Sequence, residues 1–472
     1  MTDSVLNYFY KISAIPRPSG KEERIADYLE NFARTRGLSV YRDASNNVLV
    51  RKPASAGYES APAVLLQGHT DMVCEKNAVT EHDFDTDGIR IIREGDFLRA
   101  DGTTLGADNG YAVAAMLSLL SDDTAVHPPL ECLFTTAEET GLEGMQNFDK
   151  SLLSARIMLN LDSDCEKVGT ASCAGGVRTD FTRHPAVVPC GGTALRLTVS
   201  GLKGGHSGVD IAAGRGNALK ICARLYAAAK NVSTLHMIAM EGGNKDNAIP
   251  RECAVLFTAD DPAAVETAIR AEEARIRANL VQEDAGFTVS VEAEQSGGSA
   301  LSDADADALL ALIRLLPCGP LAMSRNVAGL VQTSSNTAIV RANVNGIAVT
   351  ASSRSSVEAE LDDLCAVLDT AAAVTGFENL HYARYPGWDF TVNSRLQRVY
   401  LDTYRSLFGT DARIIGCHAG LECGLMSQAV PDMDMLSIGP DMHDIHTPNE
   451  RLSVSSAERV YRLLCAILAN LK

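Results

Sequence analysis

The sequence predicts an α/β protein in which an open parallel-sheet domain is interrupted by an α+β insertion. Three observations carry this expectation. At 472 residues the chain exceeds one ordinary hydrophobic core. Three apolar runs, Val64-Leu65-Leu66, Leu130-Glu131-Cys132-Leu133-Phe134 and Ile157-Met158-Leu159, each lead into a polar, acid-bearing segment, and open α/β sheets bind ligands at the carboxyl ends of their strands. Near Thr193 the texture changes to half-buried alternation and amphipathic helices, and it returns near residue 386. The expected division is residues 1–184 with 386–472 for the interrupted domain and 185–385 for the insertion.

Composition narrows the function. Apolar residues make up 46% of the chain, and no window is long enough to span a membrane. The start, Met1-Thr2-Asp3-Ser4-Val5-Leu6, lacks the basic head and apolar run of a secretory leader. Twelve cysteines stand singly, without CxxC pairs, which suits reduced thiols and a cytoplasmic location. Sixty acids against forty-two bases give a net charge of −18, so neither nucleic acid nor an anionic membrane is an expected partner. The same sequence is compatible with a monomer or a homodimer.

Taken in order, Ser19-Gly20-Lys21-Glu22 reads as a capping box before a helix with Ile25, Leu29, Phe32 and Ala33 on one face, closed by Gly37. Val40-Tyr41 and Val48-Leu49-Val50 read as strands paired across a turn, and the charged stretch 75–99 as a hairpin or irregular excursion. In Gln67-Gly68-His69-Thr70-Asp71 the buried strand breaks at Gly68, and alternation puts His69 and Asp71 on one side. Asp108-Asn109 opens a buried helix from a Gly-rich loop, where an Asp more commonly serves as a cap. The second strand delivers Glu138-Glu139 and the third Asp162. Two adjacent glutamates at a buried strand end repel one another unless cations compensate. Within the insertion, the order β-α-β-β-α-β up to residue 293 is ferredoxin-like, and the elements between 304 and 374 suggest a second such half. Near the end, Cys417-His418-Ala419-Gly420-Leu421-Glu422 forms a glycine-punctuated loop, and His443 and His446 precede the last helix.

Collected, the candidates are His69, Asp71, Asp108, Glu138, Glu139, Asp162 and His446. Two imidazoles and a set of carboxylates, with no thiolate, suit zinc or a similar divalent ion. Five ligands suffice for two ions when one carboxylate bridges them. That leaves Asp71, placed to bond the distal nitrogen of His69, and one glutamate free to take a proton from an activated water. The arrangement suits metal-assisted hydrolysis, with an amide as substrate.

Six runs carry a resemblance: Gln67-Gly68-His69-Thr70-Asp71, Gly106-Ala107-Asp108-Asn109-Gly110, Ala137-Glu138-Glu139-Thr140-Gly141, Leu161-Asp162, Gly204-Gly205-His206-Ser207-Gly208 and His446-Thr447-Pro448-Asn449-Glu450-Arg451. In these runs, and in their order, the chain resembles the M20 metallopeptidases, within them the aminoacyl-histidine (Xaa-His) dipeptidases. The resemblance implies a phosphorylase/hydrolase-like zinc-peptidase domain carrying an inserted lid of two ferredoxin-like halves. It implies two divalent ions, zinc first, with cobalt or manganese as alternatives. One would lie on His69 and Asp162 and the other on Glu139 and His446, with Asp108 bridging. It further implies Glu138 as general base, Asp71 as support for His69, and a cis peptide between Asp108 and Asn109. His206, Asn247 and Arg354 are implied as substrate contacts, with His206 brought down by the lid of its own chain. Glu422, on its glycine-rich loop, is a candidate for the amino group of a small peptide substrate. A related deacylase or tripeptidase would share the metal core, and an inactive relative would be expected to lack Glu138 or a ligand.

Overall fold

The computed structural model describes residues 2–295 and 298–472; Met1, at the head of the N-terminal run read above, lies outside them, as do Ser296 and Gly297. The chain forms two compact units. The first comprises Met1–Cys173, Trp388–Gly416 and Leu421–Lys472, and the second Ala174–Gly387 with Cys417–Gly420.

The first unit is built on an eight-stranded sheet in the order Ser39–Arg42, Val48–Lys52, Leu130–Thr135, Val64–His69, Ile157–Asn160, Asp434–Ser437, Val168–Cys173, Arg413–Cys417. Its four central strands are parallel. Strands Val64–His69, Leu130–Thr135 and Ile157–Asn160 are buried along their whole length, which is why they read as continuous apolar runs rather than alternating ones. The expected hairpin 39–52 forms, its turn held by Asp43 Oδ1, which accepts the backbone N–H groups of Ser45 and Asn47, each at 2.9 Å. Helix Ala107–Ser121 lies directly on strand Val64–His69. A Cβ at Gly68 would stand 2.4 Å from Asn109 Oδ1 and 2.5 Å from Ala112 Cβ, so only glycine permits this approach. The charged stretch resolves into the hairpin Ile91–Glu94 and Phe97–Ala100, which extends through Arg451–Ser453 to Met442–His443 as a four-stranded sheet.

The capping box is a correction. Helix Glu23–Thr35 begins without a side-chain cap. Ser19 Oγ instead donates to Asp71 Oδ2 at 2.8 Å, and Glu22 Oε1 accepts from Gly20 N at 2.8 Å and Ala137 N at 2.9 Å. Tertiary hydrogen bonds to the acid-bearing loops have displaced the local ones.

The second unit carries a nine-stranded antiparallel sheet. Its path runs Thr288–Ala293, Thr193–Ser200, Cys253–Ala259, Leu235–Gly242, Val331–Asn343, Gly346–Ser355, Gly175–Arg183, Glu378–Tyr385, and Gly319–Met323 adds to Val331–Asn343. The division between the units falls at Cys173/Ala174 rather than after residue 184, because strand Gly175–Arg183 pairs with Gly346–Ser355 and Glu378–Tyr385. The return falls at Gly387/Trp388 rather than after 385. Helices Ala218–Lys230, Pro262–Arg277, Asp303–Leu315 and Glu358–Thr375 cover the sheet; most of their buried residues merge with its own in one large apolar cluster, while Leu361 and Cys365 form a smaller one with Val177.

Candidate metal centre

The carboxyl ends of the three buried strands meet in the first unit. His69 ends strand Val64–His69, in register with Thr135; Glu138 and Glu139 follow Thr135, and Asp162 follows Asn160. Asp108 stands at the mouth of helix Ala107–Ser121, where its own φ/ψ are non-helical and the Asp108–Asn109 peptide is cis. The helix start is assigned to Gly106, in the left-handed region and with no side-chain cap, and the Asp108 oxygens face imidazoles instead.

The two oxygens of Asp108 diverge. Oδ1 lies 3.1 Å from His69 Nε2, which also faces Asp162 Oδ1 at 3.6 Å. Oδ2 lies 3.2 Å from His446 Nε2, which faces Glu139 Oε1 at 2.9 Å. Ligands of one tetrahedral zinc stand about 3.3 Å apart, given bonds near 2.0–2.2 Å. The converging nitrogen and oxygen atoms fit one ion on each side of Asp108. His446 occupies a left-handed backbone position, φ 62°, which turns its ring toward Glu139, whereas His443 packs its ring against Phe97.

Asp71 organises the near side. Its carboxylate accepts Ser19 Oγ–H and the backbone N–H groups of Glu138 at 3.1 Å and Glu139 at 3.2 Å, and faces His69 Nδ1 at 3.2 Å. With the proton on Nδ1, Nε2 is left as a lone pair toward Asp108 and Asp162. These hydrogen bonds outweigh burial and hold the Asp71 carboxyl at about 2. Burial and the acids Glu422, Glu139 and Asp108 push the Glu138 carboxyl up to about 8, against the pull of His69. Burial, reinforced by Asp108, Glu138 and Glu422, likewise raises Asp162 well above the usual carboxylate range against the pull of His69. Hydrogen bonds to Asp108 and Glu139 raise His446 to about 10. Five carboxylates around two imidazoles make a site whose charge calls for cations.

Glu422 departs from expectation. Its side chain is fully buried, with Oε2 bonded by Gln67 Nε2 and by Thr135 Oγ at 2.8 Å, so it presents no surface to a substrate. Burial lifts its carboxyl to about 7.

The second unit holds the remaining candidates. His206 lies in a two-stranded ladder, Gly205–His206 with Ala248–Ile249. Its Nδ1 accepts the N–H groups of Gly208 at 3.2 Å and Val209 at 3.1 Å, which leaves the proton on Nε2. Burial and the charge of Arg354 lower its pKa. Arg354 is itself buried, donating from Nη1 to Tyr385 Oη at 2.8 Å with Nε unpartnered. Asn247 is exposed, and its carbonyl accepts Ser207 N–H at 2.8 Å. His418 is bonded through Nε2 to Ser334 Oγ at 2.7 Å.

Over residues 65–470 the sequence matches peptidase family M20/M25/M40. It is 36% identical over 469 residues to the cytosol non-specific dipeptidase of Escherichia coli K12, an alignment covering 98% of this chain and 96% of that one. The chain belongs to the M20 peptidases. Among solved structures, the aminoacylhistidine dipeptidase of Vibrio alginolyticus superposes with a TM-score of 0.93 at 33% identity, over 99% of this chain and 96% of that one. A tripeptidase of Staphylococcus aureus, at 16% identity and a TM-score of 0.57 over 100% of this chain and 98% of that one, shares the fold.

Three residues of this M20 peptidase support the site without having been singled out in the sequence. Arg17, buried, donates to the carbonyls of Thr70 at 3.0 Å, Asp71 at 3.1 Å and Gly106 at 2.6 Å, and so ties the His69 and Asp108 loops together. Glu450 accepts four successive N–H groups, those of Leu105, Gly106, Ala107 and Asp108, at 2.7–3.3 Å. Ser19 was legible only as a cap. Glu450 stands in the run that holds His446, but nothing local separates a buried acceptor from a surface acid.

Proposed function

We propose that this M20 peptidase is a dinuclear metal-dependent dipeptidase whose substrates include Xaa-His dipeptides. The observation that carries this reading is the divergence of the Asp108 oxygens toward His69 and His446. His69 and Asp162 would hold one ion and Glu139 and His446 the other, with Asp108 shared between the two groups. When bound, such a pair of divalent ions, zinc in the first instance, polarises the scissile carbonyl and lowers the pKa of water to about 7. Glu138 accepts the proton of the attacking water and returns it to the leaving amine, a role open to the glutamate that no histidine pairs with among the described residues. Asp71 fixes the His69 tautomer. His206, Asn247 and Arg354 are substrate contacts: the Nε2–H of His206 is matched to a developing oxyanion, and the guanidinium of Arg354 to a carboxylate.

The first unit is the catalytic domain and the second its lid. Two ferredoxin-like halves are supported by strand order: numbered along the chain, the strands starting at 193, 235, 253 and 288 lie 4-1-3-2, and those starting at 175, 331, 346 and 378 repeat that order. A cytoplasmic location is part of this reading and is supported by the likeness to the cytosol non-specific dipeptidase; no helix among the described residues is long and apolar enough to cross a membrane. Metal analysis and hydrolysis of carnosine beside dipeptides lacking histidine test the function. Two ions per chain, loss of activity on chelation and recovery with zinc are expected, with carnosine among the substrates. Cleavage that survives metal removal, or is confined to longer peptides, would contradict it.

A further inference from the structure

Beneath the metal centre a chain of buried side chains crosses the central strands from one side to the other. Ser163 Oγ lies 2.9 Å from Ser437 Oγ; Ser437 Oγ donates to Asn160 Oδ1; Asn160 Nδ2 donates to Gln67 Oε1 at 2.6 Å; and Gln67 Nε2 donates to Glu422 Oε2. Thr135 Oγ donates to the same carboxylate oxygen at 2.8 Å. Thr135, Gln67, Asn160 and Ser437 belong to the four parallel strands, and with Glu422 they have no exposed surface.

Every amide in this chain donates toward Glu422 and accepts from the other side. Such a one-way series ends on an acceptor, and a carboxylate oxygen of Glu422 supplies it. The sequence positions tie the series to the reaction. Gln67 is two residues before His69, Asn160 two before Asp162, and Thr135 three before Glu138, so these three links sit just below residues of the candidate metal centre.

We propose that Glu422 is a positioning residue: it terminates this hydrogen-bonded beam, sets the orientation of the Gln67 and Asn160 amides, and thereby fixes the strand ends that carry His69, Glu138 and Asp162. Buried hydrogen bonds in series strengthen one another, and removing a shared acceptor weakens the hold on each of its donors. Glu422→Ala takes the shared acceptor from both donors, leaving Gln67 Nε2 only Thr135 Oγ at 3.1 Å and Thr135 Oγ only the carbonyl of Gly68 at 3.5 Å, and the strand ends lose their common register.

In its kinetic consequence the proposal rests on the dipeptidase reading, whereas its metal-binding consequence does not. The test measures zinc affinity by competition with a chelator, without substrate, together with the Tm of metal-free protein and kcat and KM on a dipeptide. Glu422→Ala is expected to weaken zinc binding by about 10–100-fold, the usual cost of losing an outer partner of a metal ligand. Its kcat falls even at saturating zinc, KM stays near wild type, and Glu422→Gln, which keeps an acceptor oxygen, recovers most of the loss. Zinc affinity equal to wild type in folded Glu422→Ala, or a lowered Tm alone, overturns the proposal. So does a raised KM with kcat and zinc affinity intact, the pattern of a direct substrate contact. If Glu422→Ala does not fold, Ser437→Ala removes one hydroxyl at the far end of the beam; zinc affinity falls there too, and an unchanged affinity overturns the proposal. Should wild-type protein cleave no dipeptide, the affinity comparison still decides the role of Glu422, and only the dipeptidase reading fails.

Discussion

Glu138 and Glu139 are adjacent in sequence and alike in chemistry, yet their surroundings separate them. Glu139 Oε1 faces His446 Nε2 at 2.9 Å, whereas Glu138 is in no ion pair among the described residues and is pushed toward neutrality by burial and by neighbouring acids. The difference predicts opposite outcomes for isosteric amides. Glu138→Gln is expected to retain its metal content while kcat falls by about 10²–10⁴-fold, the usual share of general-base catalysis. Turnover near wild type would move that role to another group. At this scale much of the centre was legible, because a His, an acid pair and an Asp at the ends of apolar runs are chemically conspicuous. Arg17 and Glu450 were not legible. Their work is done by hydrogen bonds to backbone N–H and C=O groups, which leave no side-chain pattern in a sequence.

At the scale of elements, strand Val64–His69 and helix Ala107–Ser121 bring His69 and Asp108 together because Gly68 leaves room for Asn109 and Ala112. Asn109 is fully buried, its Nδ2 donating to Leu161 O at 2.8 Å, so it has no space to withdraw. Gly68→Ala therefore predicts a loss of about 1–3 kcal/mol by overpacking, read as a lowered denaturation midpoint, together with weaker metal binding as the helix is pushed away. A variant as stable as wild type would show that the contact gives way. The glycine was visible as a break in the strand, but its reason was not, since the partner lies about forty residues away. The capping box failed for a related cause. Ser19 and Glu22 have the spacing of a local motif, and only the fold offers them Asp71 and Ala137 instead.

At the scale of the whole chain, the topology is one of interruption. Strand Gly175–Arg183 belongs with strands that begin at Val331, and the elements from Thr193 to Ala293 lie between them in sequence. The texture change near Thr193 marks the start of this inner half, which is why the boundary drawn from sequence fell after residue 184. The first unit is interrupted in turn, and its candidate metal centre is complete only when the returning chain delivers His446 to Glu139 and Asp108, 307 and 338 positions earlier. Closure by one shared carboxylate is the central claim, and metal content per chain tests it most directly, compared among wild type, Asp108→Ala and His446→Ala. Two ions in wild type, loss from both sites together in Asp108→Ala, and loss of one ion with the other retained in His446→Ala are the results predicted. Equal, partial loss in the two variants would contradict a bridging Asp108.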